Sequence, residues 1–504
     1  MKGERSKFYK PVLILLIIGF MISVSFTQKT LNASRATMGL TRLTPLENAP
    51  PVLAFTTVAL GGFRGLIANA LWIRANDLQE EGKYFEMVQL ADWITKLQPH
   101  FTTVWIHQAW NMAYNISIKF SDPHERWLWV LRGIQLLRDQ GLKFNPNEPL
   151  IYRELAWFFQ HKLGAFLDEN HNEYKQYWAA EMNQVLGYNK EINFDELIHP
   201  QTDDAQRRSS ILREKFKMDP VWMKEVDTIY GPLEWHLPEA HAIYWAYLGL
   251  EKTKNEKMKK DDFVMLRRVI FQSMQLAFMR GRLIYPDKNS TEFTYGPNLS
   301  IVKKASDTYL QMADLVPEMR DNILNGHKNF VRTAVYFLFT HNRMTAANEW
   351  FSYLRKQYPG SVPDNMTLDD YAISKVYEDS GGTDPVRIRS ALEGMFESSF
   401  LNYAIGNEEL GLGYERFAEK LWTRFQEAVG KMSAHRVGLP PLDDIRREVL
   451  KRMLEPDFGL EPVLLAQLRT RLGLPAAPAG TNTPPSTTKT PIPPASTNGP
   501  VKKQ

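Results

Sequence analysis

The chain has 504 residues, of which 44% are hydrophobic, 12% aromatic and 23% charged. That apolar content supports a sizeable buried core and excludes wholesale disorder, while a net charge of only +4, much of it at the two ends, implies no nucleic-acid surface. There is no cysteine, which excludes disulfides, thiol catalysis, lipoprotein acylation and thiolate zinc sites.

The N-terminus carries Lys2, Arg5, Lys7 and Lys10 and then an uncharged apolar run over residues 11–26, before Lys29. A basic segment ahead of an apolar run is held on the cytoplasmic side during export. As a helix the run is about 25 Å long against a hydrocarbon core of about 30 Å. Residues 1–28 are therefore expected to form a short signal anchor, one transmembrane helix. A signal peptide cleaved near Ser23-Val24-Ser25 is the alternative. A second apolar stretch, 52–71, has Arg64 at its centre. A central Arg costs roughly 2.5–3.5 kcal/mol on insertion, so the stretch reads as the entry to the first soluble helix. The expected topology is single-pass in a bacterial inner membrane, with the soluble part in the periplasm.

Residues 29–60 read as a linker, ending near Asn48-Ala49-Pro50-Pro51. From 61 to 190 aromatic and aliphatic residues recur at helical spacing. The pair before Pro99 breaks at Glu81-Gly82, the next helix carries Trp105, Ala109, Trp110 and Tyr114, and its partner stops at Asn145-Pro146. A further pair begins at Glu148-Pro149. Residues 191–236 are more polar and read as an insertion or connector with short helices. Helix pairs resume over 237–435, starting at Pro238, which suits a first helical turn. Short charged helices fill 436–473. From 474 to 504 the chain turns to Pro, Thr, Ser and Ala, a composition that cannot offset its chain entropy and predicts a disordered tail. Strand signals are scarce throughout.

A pair of antiparallel helices cannot cover both its apolar faces alone, and stacking further pairs does so. Several units carry parts of one grammar: Trp245, Leu248 and Gly249 stand at fixed spacing, Ala347 and Phe351 precede Pro359 by twelve and eight residues, and Phe278 precedes Pro286 by eight. On these residues the chain resembles tetratricopeptide-repeat proteins. The stretch 61–99, with Gly-Gly-Phe-Arg-Gly-Leu-Ile-Ala-Asn-Ala-Leu-Trp-Ile-Arg-Ala, is similar to the opening of bacterial membrane-anchored tetratricopeptide-like proteins. The resemblance is best over 60–165 and patchy over 237–430. It implies an all-α fold, a right-handed α-solenoid of irregular helix pairs behind one transmembrane helix, and a binding role with no catalytic residue.

Nucleotide loops, zinc-protease motifs and serine-hydrolase elbows are not found in the sequence. His236, Glu239 and His241 are the nearest thing to a metal constellation, but a proline separates the histidines. Asp261-Asp262 and Glu408-Glu409 stand where helix starts usually carry exposed, dipole-compensating acids. No catalytic residue, cofactor or metal is expected. Tryptophans are the more usable signal. Most should be core, and Trp105, Trp110, Trp129 and Trp157 are the candidates for contact with a partner. The expected function is a non-catalytic scaffold in the cell envelope that binds a protein or peptide. The alternatives are a cell-wall glycan hydrolase carried on helical repeats, and an assembly factor of a secretion or polysaccharide-export complex.

Overall fold

The computed structural model describes residues 64–165, 168–187, 192–253, 260–284, 293–379, 385–430, 439–455 and 460–475, with parts of 15–34. The fold is all-α apart from one small ribbon. Of the expected anchor, residues 15–20 and 22–24 are helical, with Leu15 69% and Phe20 70% exposed. Among the described residues no helix is long and apolar enough to cross a membrane. Nearly all of the expected linker and tail lies outside the described residues.

The chain divides into two compact units, Met1–Tyr285 with Thr291–Ala334, and Pro286–Ser290 with Val335–Gln504. In the first unit α1 (Arg64–Glu80) pairs with α2 (Tyr84–Leu97). Next, α3 (Thr102–Trp110) runs on through a π-helical turn (Asn111–Ile116) and packs against α4 (Pro123–Gln135). Helix α4 starts cleanly because Asp122 accepts from the Glu125 N–H at 2.8 Å and Pro123 occupies the first position. It too continues through a π turn, Leu136–Gly141. Helix α5 (Pro149–Trp157) likewise passes into a π turn, Phe158–Leu163, and is followed by α6 (His171–Leu186). Pairs lie on pairs, with α3 against α5 and α4 against α6.

The segment expected as a polar connector contributes to the core. It forms α7 (Phe194–Ile198), α8 (Asp203–Glu214) and α9 (Pro220–Tyr230), and buries Leu197, Leu212, Phe216, Met223, Val226 and Trp235. Helix α10 (Pro238–Lys252) then packs against α5 and against α11 (Lys260–Arg280). Gly249 makes this possible: a Cβ there would stand 2.7 Å from Tyr152 Cβ and 3.2 Å from Leu266 Cδ2. The sequence predicts α11 as far as residue 285, but it ends at Arg280. At Gly281 a Cβ would meet the Ala277 carbonyl oxygen at 2.1 Å, so only glycine lets the chain turn back over the last helical turn. The chain enters β1 (Arg282–Ile284), which pairs antiparallel with β2 (Thr294–Gly296), Leu283 opposite Tyr295. Helix α12 (Val302–Leu315) and most of α13 (Arg320–Thr340) complete this unit, with Phe330 between Phe278 and Tyr309.

The second unit contains α14 (Met344–Gln357), α15 (Leu368–Asp379), α16 (Pro385–Ala404), α17 (Glu408–Gly430), α18 (Leu442–Met453) and α19 (Pro462–Arg471). Its centre is α16, packed by α17, α18 and α19. Buried residues recur every fourth position, Ile388, Leu392, Phe396 and Phe400 on α16, and Phe417, Leu421 and Phe425 on α17.

Candidate docking site

Two of the four candidate tryptophans come together on the first unit. Trp110 ends α3 and is 39% exposed. Its ring stacks on Tyr114 at 5.0 Å, and the Tyr114 hydroxyl lies 3.0 Å from His161 Nδ1. The His161 ring in turn stacks on Trp157 at 4.5 Å. The four side chains form one aromatic ladder from α3 to α5. Its two middle rungs sit on π turns, a geometry that recurs at functional sites because it re-aims side chains out of the α-helical register.

The protonation states follow from the surroundings. Burial holds the His161 imidazole below its ordinary range, and the Lys162 charge adds to this. Burial pushes the Tyr114 phenol far above its usual value, and the Glu154 charge acts in the same direction. At neutral pH the phenol and the imidazole are therefore both uncharged, and one hydrogen bond joins them.

Behind Tyr114 sits a buried ion network. Lys162 Nζ lies 5.0 Å from the Tyr114 ring centroid and 2.5 Å from Asp168 Oδ2. Asp168 also approaches Arg126 at 3.6 Å and accepts from the Tyr174 hydroxyl at 3.3 Å. Burial alone would raise the Asp168 pKa, but the Lys162 hydrogen bond, the Asn170 N–H and the neighbouring cations outweigh it and leave it lowered. This network fixes the position of the ladder's inner edge.

Beyond Trp157 the ladder opens on a groove of about 400 Å³ between α5 and α11, lined by Arg153, Glu154, Trp157, Met265, Arg268, Val269 and Gln272. The helices are joined at its back, where Gln160 Nε2 donates to the Val269 carbonyl at 3.1 Å and to Ser273 Oγ at 3.0 Å.

The other two candidates lie elsewhere. Trp105 is 2% exposed, its Nε1–H donates to the Pro99 carbonyl at 2.9 Å, and its ring stacks on Phe144. It is core, because its side of α3 faces the interior. Trp129 is half-buried in a separate cluster with Phe85, Phe120 and Arg132, whose guanidinium stands 4.6 Å from its ring centroid. Met265, Arg268 and His161 were not singled out from the sequence, and Tyr114 stood only as one aromatic on the helix of Trp110. A signal for two of them was present: Trp-x-x-x-Tyr at 110–114 recurs as Trp-x-x-x-His at 157–161, 47 residues on.

The histidines considered for a metal serve the core. His241 Nε2–H donates to the Trp235 carbonyl at 2.8 Å, and its ring packs on Phe159 and Trp178. His236 lies between the Glu234 carboxylate, 2.6 Å away, and the Gly187 carbonyl at 3.0 Å. Glu239 is buried and pairs with Arg280 at 2.8 Å. Among the described residues no group of three His, Asp or Glu side chains is placed to hold a metal ion. Glu408 and Glu409 pair with Arg471 and Arg343. No protein-family model, curated protein or solved structure matches the chain.

Proposed function

We propose that this protein is a non-catalytic scaffold of the bacterial envelope, held in the inner membrane by its N-terminal segment and docking a segment of another protein on its periplasmic part. The observation that carries the reading is the ladder Trp110–Tyr114–His161–Trp157 and the groove at its end. Rigid aromatic side chains with polar edges are what protein-binding surfaces concentrate, and here the buried network of Lys162 and Asp168 holds them in place. The tetratricopeptide-like reading, a right-handed solenoid of irregular pairs, is supported by Gly249. That residue admits both the preceding pair and its own partner helix, as the repeat pattern requires of a small residue there. The anchor is supported by the apolar side chains that the helical residues near the N-terminus leave uncovered.

The test is site-specific photocrosslinking in intact bacteria, with a benzophenone amino acid at position 110 or 157, and at 350 as a control. A discrete adduct from 110 and 157 but not from 350 is expected, weakened at least tenfold when Tyr114 and His161 are both changed to Ala. Equal adducts at all three positions, or none, would sink the docking reading. An alkaline phosphatase fusion after residue 475 should be active, since that enzyme needs disulfides formed in the periplasm, and an inactive but full-length fusion would overturn the topology.

A further inference from the structure

The groove between α5 and α11 has a chemistry specific enough to name its occupant. Its lining is mostly apolar, with Trp157 along one side and Met265, 39% exposed, beside Val269 on the other. Methionine adapts its shape to different apolar side chains. At about 400 Å³ the groove is at the small end of the ~300–1,000 Å³ typical of ligand pockets. It has room for one large side chain and its neighbours.

The charges on its rim do not balance. The Arg153 guanidinium is paired with Glu154. Arg268 has a single polar contact among the described residues, from its Nη2 to Met319 Sδ at 3.6 Å. No carboxylate among them lies within ion-pairing distance of it. A half-buried guanidinium beside an apolar floor favours a carboxylate, through a charge-assisted and often bidentate hydrogen bond, and opposes a cation.

We infer that the groove takes a peptide segment in which a large apolar side chain stands next to an aspartate or glutamate. The apolar side chain seats on Trp157 and Met265, and the carboxylate is held by Arg268. This rests on the docking reading above and specifies its partner.

The experiment uses the full chain in nanodiscs of phosphatidylethanolamine and phosphatidylglycerol. A random dodecapeptide phage library is panned against it, with a Trp110→Ala/Trp157→Ala double variant as counter-selection. Enriched peptides should carry Asp or Glu beside Leu, Phe, Trp or Met. Labelled for anisotropy, they should bind Arg268→Ala at least tenfold more weakly, while Arg268→Lys retains part of the affinity. Replacing the peptide's acid by Lys should abolish binding to the natural chain and restore it to Arg268→Glu, a rescue that a misfolded variant cannot give. Enriched peptides without an acid, or binding indifferent to Arg268→Ala, would overturn the inference and leave the docking reading standing. No enrichment over the double variant would overturn both.

Discussion

Asp168 illustrates how much one side chain behind the ladder decides. It is the carboxylate beside two cations, Lys162 and Arg126, whose side chains are 4% and 11% exposed. Arg126 also pairs with Glu169 at 2.6 Å, so removing the Asp168 charge leaves chiefly the buried Lys162 uncompensated, at the low end of a cost of about 3–5 kcal/mol. Asp168→Asn should lower stability by about 3 kcal/mol in urea titration, and a loss below about 1 kcal/mol would show the network to be peripheral. His241 gives a different signature. Complete burial takes its pKa down to about 3, so the folded state keeps it neutral while the unfolded chain protonates near pH 6.5. Its contribution is therefore fully present above about pH 6.5. It is lost on acidification at roughly 1.4 kcal/mol per pH unit, until the folded value near 3 is reached. Urea midpoints at pH 7 and pH 5 should differ accordingly, and His241→Phe should flatten the difference. An unchanged slope in that variant would assign the acid sensitivity to other groups.

At the scale of helices, the close approach of α10 to α5 depends on one hydrogen atom. Gly249→Ala places a methyl group 2.7 Å from Tyr152 Cβ, and overpacking of this kind costs about 1–3 kcal/mol. Gly394→Ala, on a helix position with nothing within 4 Å, should be neutral or stabilising by up to about 1 kcal/mol. Melting curves of the two variants decide whether the glycine is a packing device, since equal shifts would remove that role. Helix starts at Pro149 and Pro238 were legible because proline fixes φ, and the break at Glu81-Gly82 because glycine admits the positive φ that Gly82 adopts. The end of α11 was not, since Gly281 acts through a carbonyl four residues back that only the folded helix brings near. The short helices expected in 191–236 are present, but which of their apolar residues are covered was not legible: Leu197, Leu212, Phe216 and Met223 are buried while Val221 and Ile229 stay exposed. Of the site, Trp110 and Trp157 were readable as large aromatics at helical spacing. Trp105 was not distinguishable from them, because which face of α3 is covered depends on α2 and α4. The groove joins helices more than a hundred residues apart, a distance over which one sequence carries no pattern.

For the molecule as a whole, two compact units mean that different probes need not agree. Eleven of the thirteen tryptophans belong to the first unit, and only Trp350 and Trp422 to the second. Tryptophan emission therefore follows mainly the first unit, whereas far-ultraviolet circular dichroism follows helices in both. Urea transitions from the two probes should separate, since coincidence is the mark of a single cooperative transition. Superimposable curves would show that the whole chain unfolds as one body.

The π turns at Asn111–Ile116, Leu136–Gly141 and Phe158–Leu163 have a consequence for how such a chain changes by mutation. Each holds one residue more than the α-helix around it, so it behaves as a spare length of chain stored inside a rigid rod. Deleting one residue from 111–116 should leave an unbroken α-helix whose remaining turn is swung by about 100°. Tyr114 would then lose His161 while helix content stays constant. A deletion variant that kept both its ellipticity and its crosslinks at position 110 would show that the stored residue is ornamental. If the crosslinks vanish, a single codon is enough to switch the surface off without dismantling the protein.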